Sequence, residues 1–155
     1  VSTGLRTLKK HPAVIFDIDG TLACCEHRRH HVVGPEKDWD AFFAAIEEDR
    51  PKKLVVDLLN FMCSSNFDVL LVTGRGEDLR ARTEQWLDDN AIHFDKLLMR
   101  SEGDFRPDTT IKTEIYRQYI EPFYDVHLVV DDRDSVVKNW RCLGLECWQV
   151  AEGNF

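Results

Sequence analysis

Ala13-Val14-Ile15-Phe16-Asp17-Ile18-Asp19-Gly20-Thr21-Leu22 is the stretch that decides the fold. Its first four residues are apolar and rich in β-branching, the pattern of a strand buried on both faces, as in a parallel sheet. Asp17 and Asp19 follow at once, two residues apart and so on one face of a regular strand. Open α/β sheets hold ligands in the crevice at the carboxyl ends of their strands. Gly20 then gives the backbone freedom to turn away. Two carboxylates this close repel unless a cation or a shared proton relieves them. Such a pair suits metal-assisted chemistry with one nucleophilic and one acid/base carboxylate.

Working outward, two more apolar runs end in polar clusters. Phe67-Asp68-Val69-Leu70-Leu71-Val72 runs into Thr73-Gly74-Arg75-Gly76, and His127-Leu128-Val129-Val130 into Asp131-Asp132-Arg133-Asp134. Leu97-Leu98-Met99 and the stretch from Glu146 to Val150 are further strand candidates. Helical spacing appears between them. Trp39, Phe42, Phe43 and Ile46 form one helical face that Asp38 can cap, and Pro51 suits the first turn of a helix through Leu54, Val55, Leu58, Leu59 and Met62. Further helices are predicted over about Glu77–Asn90, from Asp108 or Thr109 through Tyr119, and over about Ser135–Leu143. Residues 1–12 read as a polar lead-in, and Cys24 to Asp38 as a polar segment punctuated by Gly34-Pro35. The alternation predicts an α/β fold, a Rossmann-like parallel sheet flanked by helices.

A parallel sheet brings its strand ends to one edge, so Asp17/Asp19, Thr73/Arg75 and Asp131/Asp132 are expected to converge. Oxygen ligands from Asp17, from Asp131 or Asp132, and from a backbone carbonyl match hard Mg²⁺ better than zinc. Thr73 offers a hydroxyl and a loop N–H to an anion, and Gly74 permits close approach. Lys112, early in its helix, can set an ammonium against a transferring phosphoryl group. Each residue alone has a plainer reading: an Asx turn at Asp17 and Asp19, a turn at Thr73, a solvated lysine, helix caps at Asp131 and Asp132. Their joint placement behind suitable strands favours chemistry. Asp134 is expected as a helix N-cap.

The chain has 155 residues, which predicts one domain spanning 1–155. A net charge of −8 argues against a broad basic face for duplex DNA. No apolar stretch approaches membrane-spanning length, so no membrane association is expected. Five cysteines without CxxC spacing favour reduced thiols and a cytoplasmic setting. Val1 in place of Met suggests an excised or processed chain, with room for an upstream domain.

Asp17-Ile18-Asp19-Gly20-Thr21-Leu22, Thr73, Lys112 and Asp131-Asp132 resemble the four signature motifs of the haloacid dehalogenase superfamily, in its phosphatase branch. Arg100, Gly103-Asp104, Arg106, Asp108, Glu114-Ile115, Trp140-Arg141 and the stretch from Glu146 to Phe155 are similar to the 3′-phosphatase half of phage polynucleotide kinase/phosphatases. The similarity runs from about Ala13 to Phe155 and departs most between Cys24 and Pro51, where the superfamily inserts its caps; a small helical cap over about 23–50 is expected. The resemblance implies that Asp17 is the nucleophile and that Asp19, protonated at first, is the acid and then the base. It further implies Mg²⁺ on Asp17, the Asp19 carbonyl and Asp132 in preference to Asp131. Asp108 is expected to position Lys112, and Arg75 and Arg100 to meet substrate phosphates. The implied substrates are 3′-phosphorylated DNA or RNA ends, or nucleotides. A kinase domain would lie outside this chain, which has no GxxxxGK[ST] loop.

Two features remain outside those motifs. Arg28-Arg29 with His27, His30 and His31 reads as a solvated loop more readily than a substrate contact. Trp39, Phe42 and Phe43 can stack on bases, although their helical spacing favours core packing. A small-molecule phosphatase and a non-catalytic module for phosphorylated ends are the competing functions.

Overall fold

The computed structural model describes residues 9–154, so most of the expected polar lead-in, and Phe155, lie outside it. In chain order it contains β1 (His11–Phe16), β2 (Ala23–Cys24), α1 (Glu26–Arg29), α2 (Trp39–Ala44), β3 (Arg50–Pro51), α3 (Lys53–Ser64) and β4 (Asp68–Gly76). Then come α4 (Arg80–Asp89), β5 (Lys96–Arg100), α5 (Asp108–Ile115), β6 (Tyr124–Asp131), α6 (Asp134–Cys142) and β7 (Cys147–Gln149). β1 is the central strand of a five-stranded parallel sheet ordered β5-β4-β1-β6-β7. The expected α/β, Rossmann-like architecture is therefore what the chain adopts.

Strand alternation divides the core in two. Val14 and Phe16 pack on one face with Val69, Leu71, Leu59, Trp86 and Leu87, beneath α3 and α4. Ala13 and Ile15 face the other way, toward Leu70, Val129, Ile111, Ile115 and Trp140, beneath α5 and α6. A strand covered on both sides has no position for a polar residue, which is why β1 reads as an unbroken apolar run. Register fixes the site: Phe16 pairs with Leu71 of β4 and with Val130 of β6. The next residue, Asp17, donates its backbone N–H to the Val130 carbonyl at 3.0 Å. Asp17 and Asp131 thus leave the sheet at the same level.

The segment between β1 and α3 departs most from expectation. Pro51 does not open a helix; it lies in β3, paired antiparallel with Ala23 of β2, and α3 starts at Lys53. Two-residue strands carry no periodicity to recognise. The Cys24–Asp38 stretch contains α1. The helix expected to run from Trp39 through Ile46 stops at Ala44 and gives way to a 3₁₀ turn over Ile46–Glu48. Its cap is as expected, with the Asp38 side chain accepting the Ala41 N–H at 2.9 Å.

Asp134 is not an N-cap. It is the first residue of α6, and its carboxylate accepts from Gln149 Nε2 (2.6 Å) and Gly153 N (3.3 Å), while Gly153 O accepts the Asp134 N–H at 2.8 Å. The chain beyond β7 is thereby folded back on the turn that follows β6. Among the described residues, no helix is long and apolar enough to cross a membrane.

Candidate active site

Asp17 emerges from β1 into a cluster of buried charge. Lys112, from α5, donates to Asp17 Oδ1 at 2.7 Å and to Asp131 Oδ2 at 2.9 Å, and lies 3.6 Å from Asp108 Oδ2 one turn earlier. Burial opposes the lysine's charge, yet Asp131, Asp17 and Asp108 outweigh it and hold its pKa well above the usual value. Burial drives the Asp17 carboxyl well above the ordinary range; Lys112 opposes that shift, and Asp131 and Asp132 add to it. Asp131 is held by the backbone N–H groups of Asp132 (2.9 Å) and Arg133 (3.2 Å) and by Trp140 Nε1 (3.3 Å).

Asp132 is less well supplied. Thr21 donates to its Oδ1 at 3.4 Å, and burial beside Asp131 pushes the carboxyl up to about 6. Its Oδ2 is buried with no hydrogen-bond partner among the described residues. Gly20 shapes this end of the site: it has φ +83°, and a Cβ there would stand 2.0 Å from Asp132 Oδ2.

Asp19 has different surroundings. Its Oδ1 accepts from Arg75 Nη2 at 2.7 Å and Arg28 Nη2 at 2.5 Å, and its Oδ2 from Arg75 Nε at 3.0 Å. Burial disfavours the charge, but the Arg75 and Arg28 guanidiniums hold the carboxyl well below the usual carboxylate range. Arg28 extends the ladder. Its Nε donates to Asp49 Oδ1 at 2.8 Å, its Nη2 to Asp49 Oδ2, and its Nη1 to the Phe42 carbonyl at 3.1 Å. Asp49 in turn takes His27 Nε2 at 2.8 Å, and its carbonyl takes Trp86 Nε1 at 2.9 Å. The segment carrying α1 and α2 is bound to Asp19 through buried ion pairs.

This arrangement corrects several expectations. The two guanidiniums facing Asp19 favour its ionised form, whereas the resemblance implies a carboxyl protonated at first. Arg75 does not reach toward substrate: it is 0% exposed, spent on Asp19, Asp49 and Thr83, and acts by positioning Asp19. Arg28 is 1% exposed, so the solvated-loop reading of the His27–His31 stretch fails at its centre. A buried guanidinium is recognisable only through its partners, and Asp49 is 21 residues away.

The other candidates fall out as follows. Thr73 is buried within β4, three residues before its end, where its hydroxyl accepts the Arg75 N–H at 3.2 Å. Asp108 contacts Lys112, and a Cβ on Gly74 would stand 2.5 Å from Asp108 Oδ1, so a larger residue there would displace that carboxylate. Arg100 braces the loop after β5, donating to the carbonyls of Gly74 (2.9 Å), Asp104 (2.9 Å) and Arg106 (2.7 Å) and to Asp108 (3.3 Å). Cys25 lies near Asp19, but burial pushes its thiol up to about 12, so it is no nucleophile.

A cavity of about 540 Å³ opens over these groups. Asp17, Asp19, Lys112, Asp131 and Asp132 line its polar end. Trp39, Phe42 and Phe43 all line the cavity; Phe42 packs with Cys25 and Val32 and is 4% exposed, and Trp39 is 41% exposed and stacks on Phe43 at 6.0 Å between ring centroids.

The donor set fits a hard divalent cation. One carboxylate oxygen from each of Asp17, Asp131 and Asp132 lies within 4.8 Å of the others. Three buried carboxylates face one buried ammonium and, 3.8 Å from Asp132 Oδ2, the half-buried Arg29 guanidinium, a net negative charge that a cation such as Mg²⁺ relieves. The Asp19 side chain, committed to arginines, stands outside the set.

Comparison with known proteins agrees with this geometry. Residues 11–155 match the family described as "Polynucleotide kinase PNKP phosphatase domain". The chain is 27% identical over 136 residues to a protein of Autographa californica nuclear polyhedrosis virus named "Putative bifunctional polynucleotide kinase/RNA ligase", covering 84% of this chain and 18% of that protein. A chain in the "Structure of the Pnkp1/Rnl/Hen1 RNA repair complex" is 32% identical with a TM-score of 0.83, covering 100% of this chain and 48% of that one. The class C acid phosphatase of Bacillus anthracis shares the fold at 18% identity, with a TM-score of 0.65 over 83% of this chain and 54% of its own. The chain thus spans less than half the length of the viral and RNA-repair relatives it matches. With its motifs gathered at one end of a parallel sheet and a family match over nearly its whole length, this chain belongs to the polynucleotide kinase PNKP phosphatase domain family of haloacid dehalogenase-type phosphatases.

Proposed function

We propose that the chain is a Mg²⁺-dependent phosphomonoesterase that removes 3′-phosphates from RNA or DNA ends. The observation that carries the reading is Lys112 bridging Asp17 and Asp131 beside the orphaned oxygen of Asp132. The RNA repair complex containing one relative favours a nucleic-acid end over a free metabolite. Asp17, Asp131 and Asp132 would hold the ion, which when bound neutralises charge on the phosphoryl oxygens.

Asp17 forms a bond to phosphorus through an oxygen as the bond to the 3′ oxygen breaks, giving an aspartyl-phosphate. Lys112 sets its ammonium against the phosphoryl oxygens. Asp19 gives a proton to the departing alkoxide. A phosphate dianion entering beside it favours the protonated form, because like charges disfavour ionisation. In the second half Asp19 takes a proton from the water that hydrolyses the intermediate, the role suited to the ionised state in which Arg28 and Arg75 hold it. Residues 1–155 serve as one phosphatase domain, and the segment over about 23–50 acts as the cap that carries Arg28 to Asp19.

The test supplies purified protein and Mg²⁺ with 3′-phosphorylated oligonucleotides, 5′-phosphorylated oligonucleotides and free nucleotides. The 3′ ends are expected to be turned over fastest, and Asp17→Asn is expected to lose about 10⁴-fold or more in kcat. Preference for free nucleotides would sink the end-repair reading. Turnover that survives in Asp17→Asn would sink the covalent route.

A further inference from the structure

Two separate parts of the chain put exposed aromatic side chains on the cavity wall. Trp39 projects from α2, with Lys37 Nζ 5.7 Å from its ring centroid, and Phe105 sits in the loop between β5 and α5. Phe105 is 95% exposed, so it contributes almost nothing to the core, yet it lines the same cavity as Asp17. Trp39 stacks on Phe43 and meets Phe42 edge-on, with the Lys37 ammonium over its ring, and remains 41% exposed. A volume of about 540 Å³ falls within the roughly 300–1,000 Å³ that encloses an organic ligand, more than a phosphate group requires. The wall of the cavity thus combines the charged cluster around Asp17 with two exposed aromatic side chains.

We propose that Trp39 and Phe105 hold the base of the phosphorylated end nucleotide while its 3′-phosphate sits over Asp17. This rests on the phosphatase reading above and adds that the enzyme recognises a nucleobase through its flat surface, without regard to which base it is. Aromatic rings accept any base by stacking. The Lys37 ammonium, now over the Trp39 ring, gives way to the stacking base and becomes available to a backbone phosphate of the same strand. A base held this way has left its helical stack, so an unpaired 3′ end is a better substrate than a blunt duplex.

The experiment compares kcat/KM on a single-stranded oligonucleotide with a 3′-phosphate and on the same strand whose last nucleotide lacks its base. Phe105→Ala and Trp39→Ala are each expected to lose about 5- to 150-fold on the base-bearing strand. On the abasic strand wild type is expected to fall toward the variants, and the variants to fall little further. Phe105→Ala alters only an exposed side chain, and Trp39→Phe, which keeps an aromatic face, is expected to retain most activity. Equal losses on both strands, or no loss on either, would overturn the stacking role while leaving the phosphatase reading intact. Failure of wild type on every 3′-phosphorylated strand, with turnover of small phosphomonoesters, would instead remove the end-repair reading and this proposal with it.

Discussion

Two aspartates two residues apart occupy opposite electrostatic settings. Around Asp17, three buried carboxylates face one buried ammonium, and Asp132 Oδ2 has no hydrogen-bond partner among the described residues, with the Arg29 guanidinium 3.8 Å away. Around Asp19, two carboxylates face two buried guanidiniums, and charge is balanced by the protein alone. The Asp17 half is built to accept a cation and an anionic substrate. The Asp19 half is a closed support that joins the segment inserted after β1 to the sheet edge. Metal dependence should therefore concentrate at the first, and mutational fragility at the second.

The largest stability effect is expected from Arg28→Met. It leaves Asp49 and Asp19 short of buried countercharge, at a cost of about 3–5 kcal/mol, or roughly 6–20 °C in Tm for a chain of this size. A thermal melt unchanged by this substitution would break the idea of a self-contained support. Lys112→Met tests the other half, where a loss of about 10²–10³ in kcat is expected, the usual effect of removing one preorganised donor. Raising the Mg²⁺ concentration should leave that loss in place, since the ammonium and the ion serve different oxygens.

Cation demand itself is checked without turnover. Mg²⁺ at about 100 times its dissociation constant contributes about 2.7 kcal/mol if it binds only the folded chain, an increase of roughly 5–11 °C in Tm. Asp132→Asn should abolish most of that increase, whereas Asp49→Asn should not. The smallest effect lies on the surface, where Arg82 of α4 pairs with Glu47 of the 3₁₀ turn and lowers its carboxyl from 4.5 to about 2. A depressed acid contributes stability above pH 4.5 and loses it as pH falls toward 2. Because the pair is exposed, Glu47→Gln should cost at most about 1 kcal/mol at pH 7. It should cost nothing near pH 2, by denaturant unfolding.

The same contrast explains what could be read from sequence. Asp17, Asp131 and Thr73 follow apolar runs whose burial is written in local composition, so strand, strand end and sheet edge could all be inferred. Helical spacing sets Asp108 and Lys112 one turn apart, but only the family resemblance distinguishes Lys112 from a solvated helix lysine. The Asp19 support was not legible: Arg28 sits among histidines that suggest solvent, and its meaning depends on Asp49 across a turn. Arg75 looked like a phosphate contact because it follows Thr73-Gly74, but nothing local reveals that its side chain points into the interior. Phe105 was passed over inside a charged loop, where a lone aromatic has no periodicity to mark it.

Gly153 carries a practical consequence. Its N–H and carbonyl both bond to Asp134, and a Cβ on it would meet the Asp132 carbonyl at 2.2 Å. Anything that trims or pulls on residues 151–154 is transmitted mechanically to the loop bearing the acidic doublet. Shortened versions of this protein should keep that strap intact, and a label or tether fused after it needs slack before its load begins.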